Sequence, residues 1–256
     1  MVFRYTPMPR EPRPCTRTLY HAVMPKRVVL ILLALATAVV VFAGCSKSEE
    51  PAKDLPDAAT LLQQSSQTTQ NQTSAHIKLT VDGKSEKLPI ELLEGDLSNA
   101  PTFTAEGKVN LLMMGQRLEG VQFAVVDGDL YASMTPGAGL SNFGPAADIY
   151  DASLILNPQT GVGNVLANFS DPKAEGREDI NGVRTVRITG NVSADAVNKI
   201  APQIAATGPV PGTAWIAEDG DHKLVQVKLQ TESDSSVTMA LSEWGKPVTV
   251  AKPPAA

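Results

Sequence analysis

The side chains able to make or break bonds are few. The chain holds two cysteines, Cys15 and Cys45, and three histidines, of which His76 and His222 lie beyond the leader. Neither histidine has a nucleophile at recognisable spacing, and no G-x-S-x-G elbow is present, so serine or cysteine hydrolysis has no sequence support. Two histidines and one mature cysteine are also a poor set for zinc. Gly161-Val162-Gly163 suggests a nucleotide loop, but Leu166 stands where the third glycine belongs and no strand directly precedes it. Asp127 with Asp129, and Glu218 with Asp219 and Asp221, could be metal or acid–base pairs. They flank turn glycines, where solvated aspartates are expected for backbone reasons alone. No catalytic residue, metal or cofactor is expected.

The exception is the Cys45 thiol. Lys26 and Arg27 precede an uncharged run from Val28 to Phe42, then Ala43-Gly44 and the cysteine. A positive patch, an apolar stretch and small residues before a cut form a secretory signal. A cysteine directly after Ala-Gly narrows it to a bacterial lipoprotein signal, with Phe42 standing where Leu or Val is commoner. The thiol would take a diacylglyceryl group and cleavage would follow Gly44; the competing reading is an uncleaved signal anchor. Residues 1–23 are rich in arginine and proline and fit no signal, so they are expected to be an extension upstream of a start at Met24, with the signal at 24–44. From Cys45 onward there are 16 Lys or Arg against 26 Asp or Glu. That balance excludes the basic footprint of nucleic-acid binding and leaves membrane attachment to the lipid on Cys45.

The elements behind these residues read as follows. Residues 45–56 form a polar tether. Asp57 caps a weakly amphipathic helix carrying Ala58, Leu61 and Leu62 that fades into QQSSQTTQNQT. From Ser74 the period becomes two, and Asp82-Gly83, Asp127-Gly128, Asn181-Gly182 and Asp219-Gly220 each offer a hairpin turn. Asn157-Pro158 suggests a helix start, with Val162, Val165, Leu166 and Phe169 along one face. Ser193 caps a second short helix ending near Pro202, and the terminal KPPAA should fray. The prediction is one α+β domain over 57–253, an antiparallel sheet with a few helices against one face, and a tail at 254–256. Strand parity groups Ile77, Leu79 and Val81, then Val109, Leu111 and Met113, then Val121, Phe123 and Val125, with Val186, Ile188, Val225, Val227, Leu229, Val237, Met239 and Leu241 from later strands. Such a face either packs solidly on the helices or stands off them around an apolar cavity, and the pattern fits both.

FGPAADIYDASLILNPQTGVGNVLANF, KAEGREDINGVRTVRITG, SAHIKLTVDGK, VVDGDLYA, VSADAVNKIAP, TAWIAEDGDHKL and the final LSEWG closely resemble the mycobacterial LppX/LprA/LprF/LprG lipoprotein family across nearly all of 57–253. The resemblance implies a strongly curved antiparallel half-barrel whose concave face is closed by helices around a hydrophobic pocket. It implies multi-acylated ligands: triacylglycerol, phosphatidylinositol mannosides, lipomannan and lipoarabinomannan. It further implies their carriage to the outer envelope together with a major facilitator transporter, by a non-enzymatic protein anchored on the periplasmic side of the cell membrane and partly surface-exposed. Because AEGKVNLLMMG matches the family's central strand, Val109, Leu111 and Met113 are expected to line the pocket, with Phe123 and Val125 beside them and Val165, Leu166 and Phe169 from a helical lid. A monomer is expected. The rival expectations are a solid-cored surface lipoprotein acting through protein contacts, and an envelope hydrolase.

Overall fold

The computed structural model describes residues 54–83, 88–113, 115–135 and 138–254. The readings of residues 1–53, Cys45 included, lie outside the described residues.

Eleven strands form one sheet: β1 (Ser74–Asp82), β2 (Ile90–Ser98), β3 (Thr104–Met113), β4 (Gln116–Val126), β5 (Asp129–Ser133), β6 (Ser141–Pro145), β7 (Phe169–Ile180), β8 (Val183–Val192), β9 (Val210–Ala217), β10 (Leu224–Glu232) and β11 (Ser235–Ser242). The order is β6-β5-β4-β3-β2-β1-β11-β10-β9-β8-β7, and each pairing is antiparallel. Two meanders, β1–β6 and β7–β11, are thus joined at the β1–β11 seam. β6 and β7 lie at opposite edges, so the curved sheet stays open. The chain must travel from one edge to the other between them, and residues 146–168 make that crossing.

Turn chemistry accounts for the tightest hairpins. Asp127 and Gly128 have φ of 55° and 85°, and Asn181 and Gly182 have 51° and 81°, the positive angles of a type I′ turn. The β1–β2 and β9–β10 connections are longer than their Asp-Gly pairs suggest, since β2 starts only at Ile90 and β10 at Leu224. A bulge next to Leu224 in β10 replaces the expected Val225–Val227 alternation, and Leu224 with Val227 reaches the main core.

Helix α1 (Ala58–Gln70) is capped by Asp57, whose carboxylate accepts from the Thr60 amide at 2.8 Å. It does not fade where the sequence turns polar. Ser65, Ser66 and Thr69 continue the buried stripe of Leu61 and Leu62. Their small side chains let α2 (Val162–Ala167) approach closely, with the Ser66 hydroxyl donating to Gly163 O at 2.7 Å. A Cβ on Gly163 would sit 2.7 Å from Gln70 Cγ. The helix expected from Asn157 starts later. Asn157 Oδ1 instead accepts from the Gln159 amide in a local turn, and Gly161 precedes the helix. Phe169 is not on it either: it begins β7, its ring filling the space over Gly190 and Gly212. Helix α3 (Ala194–Ile200) starts at Ser193 as expected and gives way to a 3-10 turn at Pro202–Ile204. The C-terminal segment is held, with Val250 against Ala124, Val126 and Tyr131, and Lys252 Nζ 2.8 Å from Asp127 Oδ2.

Antiparallel alternation gives the sheet two ends. One carries the 127–128, 181–182 and 218–223 turns together with the start of β1 and the finish of β11. Helix α1 closes it: Thr68 Oγ1 donates to Asp221 O at 2.6 Å, and Arg177 Nη2 donates to Asp54 O at 3.0 Å just before the helix. The β1–β2, β3–β4 and β10–β11 connections lie at the other end.

Candidate functional site

The concave face encloses a cavity of about 350 Å³. Ile77, Leu79 and Val81 of β1 form its central wall, flanked by Leu93 and Leu97 of β2 and by Val237 and Met239 of β11. Tyr150, Ile155, Val162 and Val165 from the crossing segment, with Ile200 and Ile204, cover it. Sequence parity anticipates such a face; β2, with Leu93, Gly95 and Leu97 alternating in IELLEGDLS, adds a strand missing from the expected groups.

A bare patch in the sheet makes room for it. Gly95 faces Gly107 across β2 and β3, in a row running from Ile77 to Phe123. The two strands are so close there that a Cβ on Gly95 would lie 2.2 Å from Glu106 O, and one on Gly107 2.3 Å from Glu94 O. No side chain of either glycine occupies the concave side, and Gly95 and Phe123 both border the cavity.

On the strands of the cavity wall, the burial of the apolar concave-face residues falls in one direction. On β1 Ala75 and Ile77 are buried, while Leu79 and Val81 are half-buried. On β2 Leu97 is buried and Leu93 and Ile90 half-buried; on β11 Leu241 and Met239 are buried and Val237 half-buried. The cavity therefore opens toward the β1–β2, β3–β4 and β10–β11 connections, opposite the end closed by α1.

The border is almost free of charge. Asp96 is the charged residue along it, and its carboxylate is held by His76 Nδ1 at 2.7 Å. The Tyr150 hydroxyl donates to Ile200 O at 2.9 Å, tying the crossing segment to the end of α3. Burial, with the Asp151 charge behind it, pushes the phenol well above its ordinary range and keeps it a neutral donor. An interior of this kind suits hydrocarbon better than a charged ligand.

The eight residues expected at the pocket divide. Leu111, Phe123 and Val165 border the cavity. Val109 does not border the cavity: on the same concave face, it is buried in a small cluster with Val121 and Ala132, packed against half-buried Leu93, Leu111 and Phe123. Val125 and Leu166 are buried in the main core, Phe169 packs at its edge, and Met113 is 43% exposed at the β3–β4 tip. Parity puts Val109, Leu111 and Met113 on one face correctly but says nothing of depth along the strand.

Three of the polar residues singled out in the sequence have structural partners. Asp129 accepts from Asn142, and Glu218 is gripped by Arg177 and Arg184. His222 sits at φ 52° with Nδ1 3.1 Å from Ala217 O. Among the described residues no three His, Cys, Asp or Glu side chains gather as a metal site.

The family model described as LppX_LprAFG lipoprotein matches residues 57–250. The chain is 58% identical over 233 residues to a protein of Mycolicibacterium hassiacum named lipoarabinomannan carrier protein LprG, covering 91% of this chain and 100% of that one. The identically named protein of Mycobacterium tuberculosis H37Rv is 51% identical over 229 residues, covering 89% and 96%. Among solved structures, LprF from Mycobacterium bovis superposes with a TM-score of 0.71 at 30% identity, covering 78% of this chain and 98% of that one. The M. tuberculosis lipoprotein LppX gives 0.59 at 27%, covering 76% and 98%. The chain belongs to the LppX_LprAFG lipoprotein family.

Proposed function

We propose that this protein is a non-catalytic carrier of multi-acylated lipids and glycolipids. The observation that carries the reading is the apolar cavity on the concave face, nearly uncharged at its border, whose strand wall grows more exposed toward the β1–β2 and β10–β11 connections. Acyl chains exposed to water cost about 0.8 kcal/mol per CH₂. Such a cavity shelters them while a polar head group stays in solvent at the mouth. The names of the LprG relatives support a glycolipid cargo. Triacylglycerol, phosphatidylinositol mannosides, lipomannan and lipoarabinomannan form the cargo class, moved through the envelope with a major facilitator transporter. The protein acts as a monomer anchored through acylated Cys45 on the outer side of the cell membrane. The cavity lies near the lower limit for ligand pockets, about 300 Å³, so loading a multi-chain cargo lifts the crossing segment away from the sheet.

The test is to purify the processed protein from a mycobacterial host without detergent, extract it with organic solvent and weigh the extract by mass spectrometry. Near-stoichiometric multi-acyl lipid is expected. Leu79 lies mid-wall between its strand partners Leu93 and Met239, so Leu79→Trp should fill the cavity and lose the lipid while keeping the β-sheet circular dichroism. Val109→Trp, on the same face but beside the cavity rather than on its border, should reduce loading less. A protein that stays empty after incubation with envelope lipids overturns the carrier reading.

A further inference from the structure

The β3–β4 hairpin differs from its counterparts. The 127–128, 181–182 and 218–223 turns are built from Asp, Asn, Gly, Glu, His and Lys, as solvent-facing turns should be. At the β3–β4 tip the sequence reads Leu111-Leu112-Met113-Met114-Gly115. Successive strand residues point to opposite faces. Leu111 borders the cavity, yet Leu112 on the other face is 48% exposed and Met113 is 43% exposed. The β3 side of the tip is thus apolar on both faces, with exposed Gln116 and Arg117 opposite it on β4. It stands at the open end, beside cavity-lining Pro89 and Ile90, with the Leu112 amide donating to Pro89 O at 2.9 Å.

We infer that this tip inserts into the surface of a lipid bilayer and sets the cavity mouth against it. The inference rests on the carrier reading and adds the partner surface. A cargo chain moving between bilayer and cavity without such contact would cross water at about 0.8 kcal/mol per CH₂; a docked mouth removes that crossing. Charge selects the kind of bilayer. Arg117, the cation at the base of the hairpin, is already engaged by Glu91 and Glu119. Asp82 ends β1 and Glu232 ends β10 at the same end of the sheet. Among the described residues of the tip no unpaired cation is left to attract anionic lipid, and a zwitterionic surface entered by apolar side chains fits. Asp54, the first described residue, lies at the opposite end, held by Arg177.

The test compares two ends of one molecule. Val183, 41% exposed, begins β8 at the closed end. Met113→Cys and Val183→Cys versions of the processed protein, each carrying a nitrobenzoxadiazole label, are mixed with phosphatidylcholine vesicles containing brominated chains. The label at 113 should be quenched and that at 183 not, equally with and without anionic lipid. Adding Leu112→Asp should cut the quenched fraction about ten-fold, since burying a charge replaces burying a leucine. No quenching at 113, equal quenching at both ends, or quenching that needs anionic lipid overturns the proposal. Bound cargo is measured in parallel: docking without cargo sinks the carrier reading alone, and cargo without quenching sinks the docking alone.

Discussion

The two arms of the sheet carry similar sequence patterns and end in different states. On the β7–β10 arm Val186, Ile188, Val192, Ala214, Ile216 and Leu224 are fully buried. On the β1–β4 arm Leu79, Leu93, Leu111 and Phe123, no less apolar, remain half-buried around the cavity. The difference lies in what covers them. Helix α1 packs on β7, β9 and β10, and α2 packs on α1. Over the other arm passes the crossing segment, in short 3-10 turns at Ala146–Asp148 and Ala152–Leu156. Among the described residues, three helices and a few 3-10 turns do not blanket eleven strands, and the cavity lies where the cover is thin. An apolar face therefore means core on one arm and cavity wall on the other.

Truncation should break that symmetry of pattern most sharply. Ile216→Ala removes atoms from a sealed interior that relaxes only partly, and should cost about 2–5 kcal/mol. Leu93→Ala, facing space already open, forfeits only part of its burial and should cost about 1 kcal/mol. Urea unfolding of the two variants measures the contrast; equal losses would mean that the β1–β4 arm is packed as solidly as the other. A smaller effect, through the backbone, is expected at Gly107. Its added Cβ would lie 2.3 Å from Glu94 O, so Gly107→Ala must push β2 and β3 apart, at about 1–3 kcal/mol. Unfolding by the same method should show that loss, whereas Gly120→Ala meets no neighbouring atom and tests only its φ of 63°.

Much of this architecture was legible in the sequence because it is written locally. The Asp127-Gly128 and Asn181-Gly182 turns, the Ser193 cap and the alternation of Ile77, Leu79 and Val81 are all decided by near neighbours in the chain. The failures are non-local. Ser65, Ser66 and Thr69 look like a fading helix until Gly163, far along the chain, is brought against them. Phe169 keeps helical spacing but joins β7, where Gly190 and Gly212 leave room for its ring. Val109 has the parity of a wall residue, yet its depth depends on Val121 and Ala132 from two other strands. The cavity itself rests on Gly95 meeting Gly107, a register no single strand encodes. The resemblance to a family supplied what periodicity could not: that the apolar face encloses a space.

The smallest effect expected concerns the closed end, where polar groups add to the core that holds the packed arm. Arg177 Nε donates to both carboxylate oxygens of Glu218, at 2.7 and 2.8 Å, and Nη2 reaches back to Asp54 O. Both side chains are mostly buried, at 17% and 19% exposure. The hydrogen bond from Arg177 holds the Glu218 carboxyl below its ordinary range, against the opposing pull of burial, with the Arg177 charge and Arg184 adding to it. A carboxylate whose pKa is depressed by folding adds stability above its unfolded value, about 4.3, and loses it as pH falls through the lower folded value. Glu218→Gln should thus cost about 1 kcal/mol at pH 7, within the range for a hydrogen bond to a charged group set beside solvent. Between pH 5 and pH 2 the gap should close, because the wild-type side chain becomes neutral as well. Urea midpoints of the two proteins across that range measure it. A gap that persists undiminished at the acid end would show that Glu218 acts through shape rather than charge, and that α1 is held to the β7–β9 edge by packing alone.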